Sequence, residues 1–121
     1  MVIGVGTDLL AIERIRRSLD DESFINAVYT QEERTAAKQS RNEHYFYSTR
    51  FAGKEAVFKA LGIGPDSVRL NEIEILPDDF GAPVVTLHGL VRDLAEKRGI
   101  CEVMLSLSWE SEFALAFAVA Q

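Results

Sequence analysis

Ionic side chains interrupt an apolar segment near the middle of the chain. The segment that begins at Arg50 reads RFAGKEAVFKALG, and its pattern predicts a helix. On that helix Glu55 has Phe51 and Phe58 as neighbours, so its carboxylate lies beside an apolar stripe. Such a carboxylate needs a partner that replaces its lost hydration, either Lys59 or a bound cation. An ordinary surface pair of Glu55 with Lys59 is the alternative.

A second acid, Asp8, follows an apolar run at the beginning of the sequence. Residues 2–5 predict a short strand, and Asp8 would lie just beyond its end. It could be the N-cap of the helix predicted after it. A strand-end acid and a helix acid could instead converge on one Mg²⁺ ion, which typically takes one or two carboxylates and leaves other positions to phosphates and water. Spacing leaves both interpretations open.

A small basic cluster precedes an acidic stretch at residues 20–22. Arg14, Arg16 and Arg17 lie close together, and on a helix Arg14 and Arg17 would share one face. This patch suits an acidic partner, although a solvated helix face fits the spacing as well. The net charge of −6 argues against a nucleic-acid surface, because phosphate binding needs a basic face.

The elements that must position these residues follow from the hydropathy pattern. Helices are predicted at residues 30–39, 43–61 and 90–97, the first of them with a capping box formed by Thr30 and Glu33. Strands are predicted at residues 72–76, 84–87, 102–107 and 113–119, with a tight connection at residues 108–112. Because the last two strands would be antiparallel neighbours, an α+β fold is favoured over a doubly wound one.

Length and composition limit the class of protein. With 121 residues, 47% of them hydrophobic, the chain can bury one core, which predicts one domain over residues 1–121. The early apolar run is too short and too interrupted for a signal peptide or a membrane span, which predicts a cytosolic protein with no membrane partner. Cys101 is a single cysteine, and His44 lies far from His88 in the sequence, so neither a disulfide nor a zinc motif is expected.

Four blocks of sequence together resemble the holo-acyl-carrier-protein synthases, the small trimeric type of 4′-phosphopantetheinyl transferase. They are GVGTD, which ends at Asp8 and is followed by Arg14-Ile15; the central RFAGKEAVFKALG; the Gly81-Ala82-Pro83 turn; and LSLS, which ends at Ser108. A lone K-E-A-x-x-K would be ordinary helix composition, whereas the four blocks in this order are specific.

The resemblance implies a reaction and roles for the ionic residues. The 4′-phosphopantetheine of coenzyme A would move to a serine of an apo acyl carrier protein. Asp8 and Glu55 then correspond to the Mg²⁺ ligands, and Lys59 to the cation that stabilises or protonates the leaving phosphate. Arg50 and Lys54 correspond to anchors of the nucleotide phosphates. Either a carboxylate or a water that it orients could take the serine proton.

The resemblance also assigns the remaining contacts. Gly64, Pro83, Ser108 and Trp109 would lie against coenzyme A. A second set, Arg14 and Arg17, would bind the acidic helix of the carrier protein. The implied assembly is a homotrimer with each active site shared between neighbouring subunits.

One position departs from the family pattern. Trp109 stands where the family usually has a histidine, and an indole can donate one hydrogen bond but supplies no cation. Because Asp8, Glu55 and Lys59 are all present, we expect catalysis to be retained. The alternative is a non-catalytic module that binds coenzyme A or a carrier protein. A metal-dependent phosphohydrolase is less favoured, since no further acids or histidines cluster for a second metal.

Overall fold

The computed structural model describes residues 1–65 and 69–121, and these form an α+β fold, as predicted. The helices are α1 (Ile12–Ser18), α2 (Glu22–Val28), α3 (Gln31–Gln39), α4 (Glu43–Leu61) and α5 (Gly89–Lys97). The strands are β1 (Gly4–Ala11), β2 (Ile73–Pro77), β3 (Pro83–Leu87), β4 (Val103–Glu110) and β5 (Phe113–Ala120), and a 3₁₀ turn, Leu70–Glu72, precedes β2. Within the described residues no helix combines the length and apolarity that a membrane crossing requires.

The strands form two antiparallel sheets. One sheet has the order β1-β5-β4, and β2 with β3 forms a separate hairpin. The long helix α4 packs across one face of the three-stranded sheet, where β5 contributes fully buried side chains that alternate along the strand: Ala114, Ala116, Ala118 and Ala120. Because alternate residues of a strand face opposite sides, small side chains on this face let the helix lie close to the sheet.

The predicted helices at residues 30–39 and 43–61 are confirmed, together with their end signals. The side chain of Thr30 accepts a hydrogen bond from the Glu33 amide while Glu33 accepts one from the Thr30 amide, which is the predicted capping box. Asn42 caps the start of α4, and Gly62 ends it in the left-handed conformation with φ of 66°.

The first strand is longer than predicted, and this changes the position of Asp8. The strand β1 runs to Ala11 because β5 offers eight consecutive antiparallel partners, from Ala120 to Phe113. Asp8 therefore lies inside the strand, opposite Ala116, and the N-cap position of α1 is Ala11. The N-cap interpretation of Asp8 was wrong.

Two further differences from the predicted elements concern the end of β4 and helix α2. Strand β4 continues to Glu110, so Ser108 and Trp109 lie in a strand and not in the predicted connection. Helix α2 was missed, although Asp21 caps it by accepting a hydrogen bond from the Ser23 amide at 2.9 Å. An Asp that precedes a short apolar segment was the available signal.

Candidate functional site

Two glycines bring β1 into direct contact with α4. A Cβ atom added to Gly4 would collide with the carbonyl oxygen of Ala60, and one added to Gly6 would collide with that of Ala56. Gly4, Gly6 and Asp8 alternate along the strand, so all three lie on the side that faces the helix. The missing side chains at positions 4 and 6 therefore let Asp8 reach the surface of α4.

Asp8 and Lys59 meet where β1 crosses the helix. Lys59 Nζ lies 3.4 Å from Asp8 Oδ1 and donates a hydrogen bond to the carbonyl oxygen of Thr7 at 2.9 Å. The Asp8 side chain is 18% exposed and that of Lys59 is 51% exposed. Lys59 thus pairs with Asp8, and no ion pair with Glu55 occurs, although both residues are among those that the structure describes. The surface pair of Glu55 with Lys59 considered from the sequence was wrong.

Glu55 is half-buried beside this pair. Burial raises the pKa of its carboxyl group above the ordinary value, and the charge of Asp8 raises it further. The charges of Lys59 and Arg14 oppose this shift. A bound cation would offset the effect of the Asp8 charge on the Glu55 carboxylate.

The donor chemistry of this acid pair fits Mg²⁺. Among the described residues no group of three or more His, Cys, Asp or Glu side chains is arranged to hold a metal ion. A site with only two carboxylates would bind a transition metal incompletely, whereas Mg²⁺ commonly completes its shell with phosphate oxygens and water. Asp8 and Glu55 are therefore the residues that could hold Mg²⁺ together with a phosphate substrate.

Arg14 lies near the acid pair, although the sequence predicted for it only a role in binding a carrier protein. Its guanidinium carbon lies 5.9 Å from the centroid of the Phe51 ring on α4, one helical turn before Glu55. Arg17 is exposed and lines a surface depression with Arg16, Asp20 and other residues of α1 and α4. The two arginines thus have different neighbours, and only Arg14 adjoins the acid pair.

Lys54 does not have the position of a phosphate anchor. Its side chain is fully buried, its ammonium group pairs with Glu33 Oε1 at 2.8 Å, and its other hydrogen bonds go to the carbonyl oxygens of Leu70 and Ile73. These contacts occupy all three N–H donors of the ammonium group. Burial lowers the pKa of Lys54, and the charge of Glu33 opposes this. The phosphate-anchor prediction for Lys54 is therefore corrected to a buried structural pair.

Arg50, in contrast, retains unused hydrogen-bonding capacity. Its guanidinium group lies 4.0 Å from the centroid of the Phe46 ring and donates to Thr49 Oγ1, while its Nε has no hydrogen-bond partner among residues 1–65 and 69–121. Burial lowers the pKa of this group. A partly desolvated guanidinium with a free donor is suited to an anionic ligand such as a phosphate.

Trp109 adjoins the same region through an aromatic contact. The Trp109 and Tyr45 rings are 4.4 Å apart between centroids, and both residues line a cavity of about 200 Å³ that also includes Arg41 and Arg50. Although Trp109 is 54% exposed, one face of its indole is fixed by the tyrosine. Tyr45 was not identified from the sequence, because Trp109 was predicted to lie in a connection. In the structure Trp109 belongs to β4, and this strand turns its ring toward Tyr45.

The predicted site residues fall into two groups on one chain. The first group is Asp8, Glu55 and Lys59, and the second is Arg50 with Trp109. Along a helix, five residues rotate a side chain by about 140° and nine by about 180°. Arg50 therefore projects from a face of α4 far from that of Glu55 and opposite that of Lys59. One chain does not bring the two groups together.

The other predicted coenzyme A contacts lie at separate places. Gly64 follows the end of α4, and a Cβ atom added to it would meet no atom within 4 Å from the described residues beyond its chain neighbours. Pro83 begins β3 opposite Pro77. Ser108 is exposed and points away from α4, beside Leu115 of β5.

Known proteins resemble the chain over almost its entire length. A family model described as the 4′-phosphopantetheinyl transferase superfamily matches residues 4–118. A holo-[acyl-carrier-protein] synthase of Desulforudis audaxviator is 40% identical over 99% of this chain and 93% of that protein.

Solved structures agree in fold as well as in sequence. The holo-[acyl-carrier-protein] synthase of Neisseria meningitidis has a TM-score of 0.90 and 34% identity, and the comparison covers 100% of this chain and 99% of that one. The synthase of Bacillus anthracis, solved in complex with CoA (3′,5′-ADP), has a TM-score of 0.81 and 33% identity over 99% of this chain and 96% of that one. Agreement of this extent shows that the chain belongs to the holo-[acyl-carrier-protein] synthase family of the 4′-phosphopantetheinyl transferase superfamily.

Proposed function

We propose that this chain performs its family's reaction with Mg²⁺ held by Asp8 and Glu55. The reaction transfers 4′-phosphopantetheine from coenzyme A to a serine of an apo acyl carrier protein and releases adenosine 3′,5′-bisphosphate. The observation that carries the proposal is the convergence of Asp8, Glu55 and Lys59 where β1 crosses α4. Residues 1–121 act in this proposal as one transferase domain, located in the cytosol.

Lys59 has the geometry to act on the leaving phosphate. Attack of the serine hydroxyl at the phosphodiester develops negative charge on the leaving oxygens. When bound, Mg²⁺ supplies positive charge against these oxygens and the pyrophosphate. Lys59 uses two of its three N–H donors on Thr7 and Asp8, which leaves one to donate to the leaving oxygen or to protonate it. One of the two carboxylates, or a water next to it, accepts the serine proton.

The second group of residues binds the nucleotide end of coenzyme A. Arg50 supplies a guanidinium group whose Nε is unpaired within the described structure, and Trp109 with Tyr45 forms the adjoining aromatic wall. An indole lacks the charge of an imidazolium, so in this proposal Arg50 carries the larger share of phosphate binding. Gly64, Pro83 and Ser108 are further coenzyme A contacts in the proposal.

A homotrimer with shared sites would unite the two groups. The face of the three-stranded sheet opposite α4 is apolar although it is exposed. Its large exposed side chains are Val5, Leu9, Met104, Phe113, Leu115 and Phe117. A contiguous exposed apolar surface of this kind is typical of a subunit interface. Packing copies of the chain on this face would allow Arg50 of one subunit to approach Asp8 of another.

Charge introduced at the centre of the face tests the assembly. Phe117 is 48% exposed and pairs with Thr7 on one side and Ser106 on the other. We expect Phe117→Glu to convert a trimer to monomers in analytical ultracentrifugation and to abolish transfer. The exposed Leu90 of α5 offers a control, since Leu90→Glu should leave the sedimentation coefficient unchanged. A parent protein that sediments as a monomer at assay concentration and is fully active would contradict the shared site.

Transfer itself is tested by mass spectrometry. The protein is incubated with coenzyme A, Mg²⁺ and a panel of apo acyl carrier proteins, and the expected result is a mass increase of one 4′-phosphopantetheine on a carrier. The presence of Trp109 favours one competing function, a module that binds coenzyme A or a carrier without catalysis. Measurable coenzyme A binding without a mass change on any carrier would support that module.

A further inference from the structure

A buried ion pair joins α3 and α4 next to the β2–β3 hairpin. The side chains of Glu33 and Lys54 are both fully buried, with 2.8 Å between Oε1 and Nζ. A buried pair of this kind contributes little stability relative to apolar side chains of similar volume, because both charges lose their hydration. The pair therefore matters less for stability than for the geometry that its hydrogen bonds impose.

Most of those hydrogen bonds reach the segment that enters β2. Lys54 Nζ donates to the carbonyl oxygens of Leu70, the first residue of the turn that precedes the strand, and Ile73, the first residue of β2. The remaining carboxylate oxygen of Glu33 accepts a hydrogen bond from the Ile75 amide at 2.8 Å. Hydrogen bonds are directional, so together these contacts fix the position of β2 along its own axis relative to α4.

One further hydrogen bond reaches the hairpin from the start of α3, donated by Thr30 Oγ1 to Glu74 Oε2 at 2.7 Å, whereas the apolar contacts of the hairpin are less directional. Its two strands pair only with each other among the strands that the structure describes. Ile73 and Ile75 are fully buried and hold the hairpin on the core, but apolar packing tolerates small sliding motions. An isolated two-stranded hairpin is marginally stable, so its exact placement depends on external contacts such as the Glu33–Lys54 pair.

The pair also relates the hairpin to the nucleotide-binding group. Arg50 lies one helical turn before Lys54 on α4, and Pro83 is on the hairpin. We propose that Glu33 and Lys54 are positioning residues that fix the hairpin relative to Arg50 and thereby set the donor-binding geometry. This inference rests on the proposed function, in which Arg50 and Pro83 both contact coenzyme A. Neither member of the pair touches the substrate.

The double variant Glu33→Gln with Lys54→Met tests the role. It removes both charges at nearly constant volume, so no uncompensated buried charge remains. We expect the KM for coenzyme A to rise by about tenfold while kcat changes by less than about threefold, which is the signature of lost ground-state binding. Hydrogen exchange should become faster at the Ile75 amide and along the hairpin, and stay unchanged in β1 and β5.

Two further variants separate positioning from general stability. Ile12→Ala removes a buried side chain of α1 that makes none of these contacts, and it should leave the KM for coenzyme A unchanged in folded protein. Glu33→Asp keeps both charges but shortens one side chain. It should raise the KM for coenzyme A by a smaller factor than the double variant does. If the double variant fails to fold, Glu33→Asp tests the positioning role in its place.

Separate outcomes bear on the inference and on the proposed function. An unchanged KM for coenzyme A in the folded variants, or an equal rise in Ile12→Ala, would overturn the positioning role. If the parent protein shows no transfer, the proposed function fails, and hydrogen exchange then decides the positioning role alone. Faster exchange confined to the hairpin supports it, and unchanged exchange at Ile75 overturns it.

Discussion

Lys59 Nζ lies 3.4 Å from Asp8 Oδ1, and this contact joins the last turn of α4 to the middle of β1. It depends on a strand without side chains at positions 4 and 6. The acid, the lysine and the neighbouring Glu55 therefore form one local structure, whose geometry follows from how closely the strand approaches the helix.

Replacing Gly6 with alanine should separate β1 from α4. Its Cβ atom would collide with the carbonyl oxygen of Ala56, and backbone atoms of a helix cannot move aside easily. We expect Gly6→Ala to lower the free energy of unfolding by about 1–3 kcal/mol, measured by urea denaturation. Transfer activity of the folded fraction should fall as well, because Asp8 moves with the strand.

A matched glycine gives the control for this measurement. In the part of the chain that the structure describes, no residue beyond the chain neighbours of Gly64 has an atom within 4 Å of an added Cβ. Gly64 also lies outside helices and strands, so Gly64→Ala should change the stability by less than about 0.5 kcal/mol. If Gly6→Ala were as stable as the parent, β1 would not approach α4 as closely as described.

Trp109 should report the binding of coenzyme A. It is the single tryptophan of the chain, and its ring contacts that of Tyr45 beside Arg50. We expect titration with coenzyme A to change the intrinsic fluorescence with a saturable curve. In Arg50→Gln the same titration should shift to at least about tenfold higher concentration, because one charge-assisted contact is lost. Saturation at the same concentration in both proteins would exclude Arg50 from the donor site.

Arg17 should affect the carrier protein and not the donor. It is exposed on α1, and rim charges mainly raise association rates. Arg17→Glu is expected to raise the KM for the carrier several-fold at low salt, with a smaller effect at high salt because the charges are screened. Arg92→Glu on α5 is the control with the same charge change. Equal effects of the two variants would remove the docking role from α1.

Alkaline pH should destabilise the fold through buried tyrosines. Burial raises the pKa of Tyr29, with smaller contributions from Glu33 and Tyr47, so the folded state keeps this proton more tightly than the unfolded chain does. Above pH about 10 the unfolded chain loses the proton first, and the free energy of unfolding falls by up to about 1.4 kcal/mol per pH unit per group.

Tyr29→Phe isolates this contribution. The variant loses the hydrogen bond from Tyr29 Oη to the Tyr47 carbonyl oxygen at 2.8 Å, which should cost about 1 kcal/mol near pH 8. Its stability should then fall less steeply than that of the parent between pH 9 and pH 11, approximate limits set by the ordinary tyrosine pKa. Parallel curves for the two proteins would show that Tyr29 is not the group responsible.

Local signals made much of the fold predictable. The capping box at Thr30 and the glycine end signal at Gly62 act over a few residues, so α3 and the end of α4 could be predicted from the sequence. The length of β1 could not, because it is set by pairing with β5 at the other end of the chain. Asp8 was consequently placed beyond the end of the strand, whereas it lies inside β1.

The fate of the individual lysines shows the same limit. Lys54 and Lys59 are both in the K-E-A-x-x-K block, and composition does not distinguish their environments. Only the packing of α3 against α4 reveals that Lys54 is buried on Glu33, while Lys59 is half exposed next to Asp8. Rotation along α4 likewise divides the candidate site residues between two faces of the helix. The sequence does not show what each face contacts, so this division could not be interpreted before the neighbouring elements were known.

Mg²⁺-dependent transfer by Asp8→Asn and Glu55→Gln tests the central claim most directly. Both substitutions remove one charge at constant size, and Glu13→Gln on the exposed side of α1 is the matched control. We predict that each site variant keeps the parent's circular dichroism spectrum but loses at least about 100-fold in transfer rate at saturating coenzyme A, equivalent to about 2.7 kcal/mol. Parent rates and an unchanged Mg²⁺ dependence in both variants would contradict the metal site.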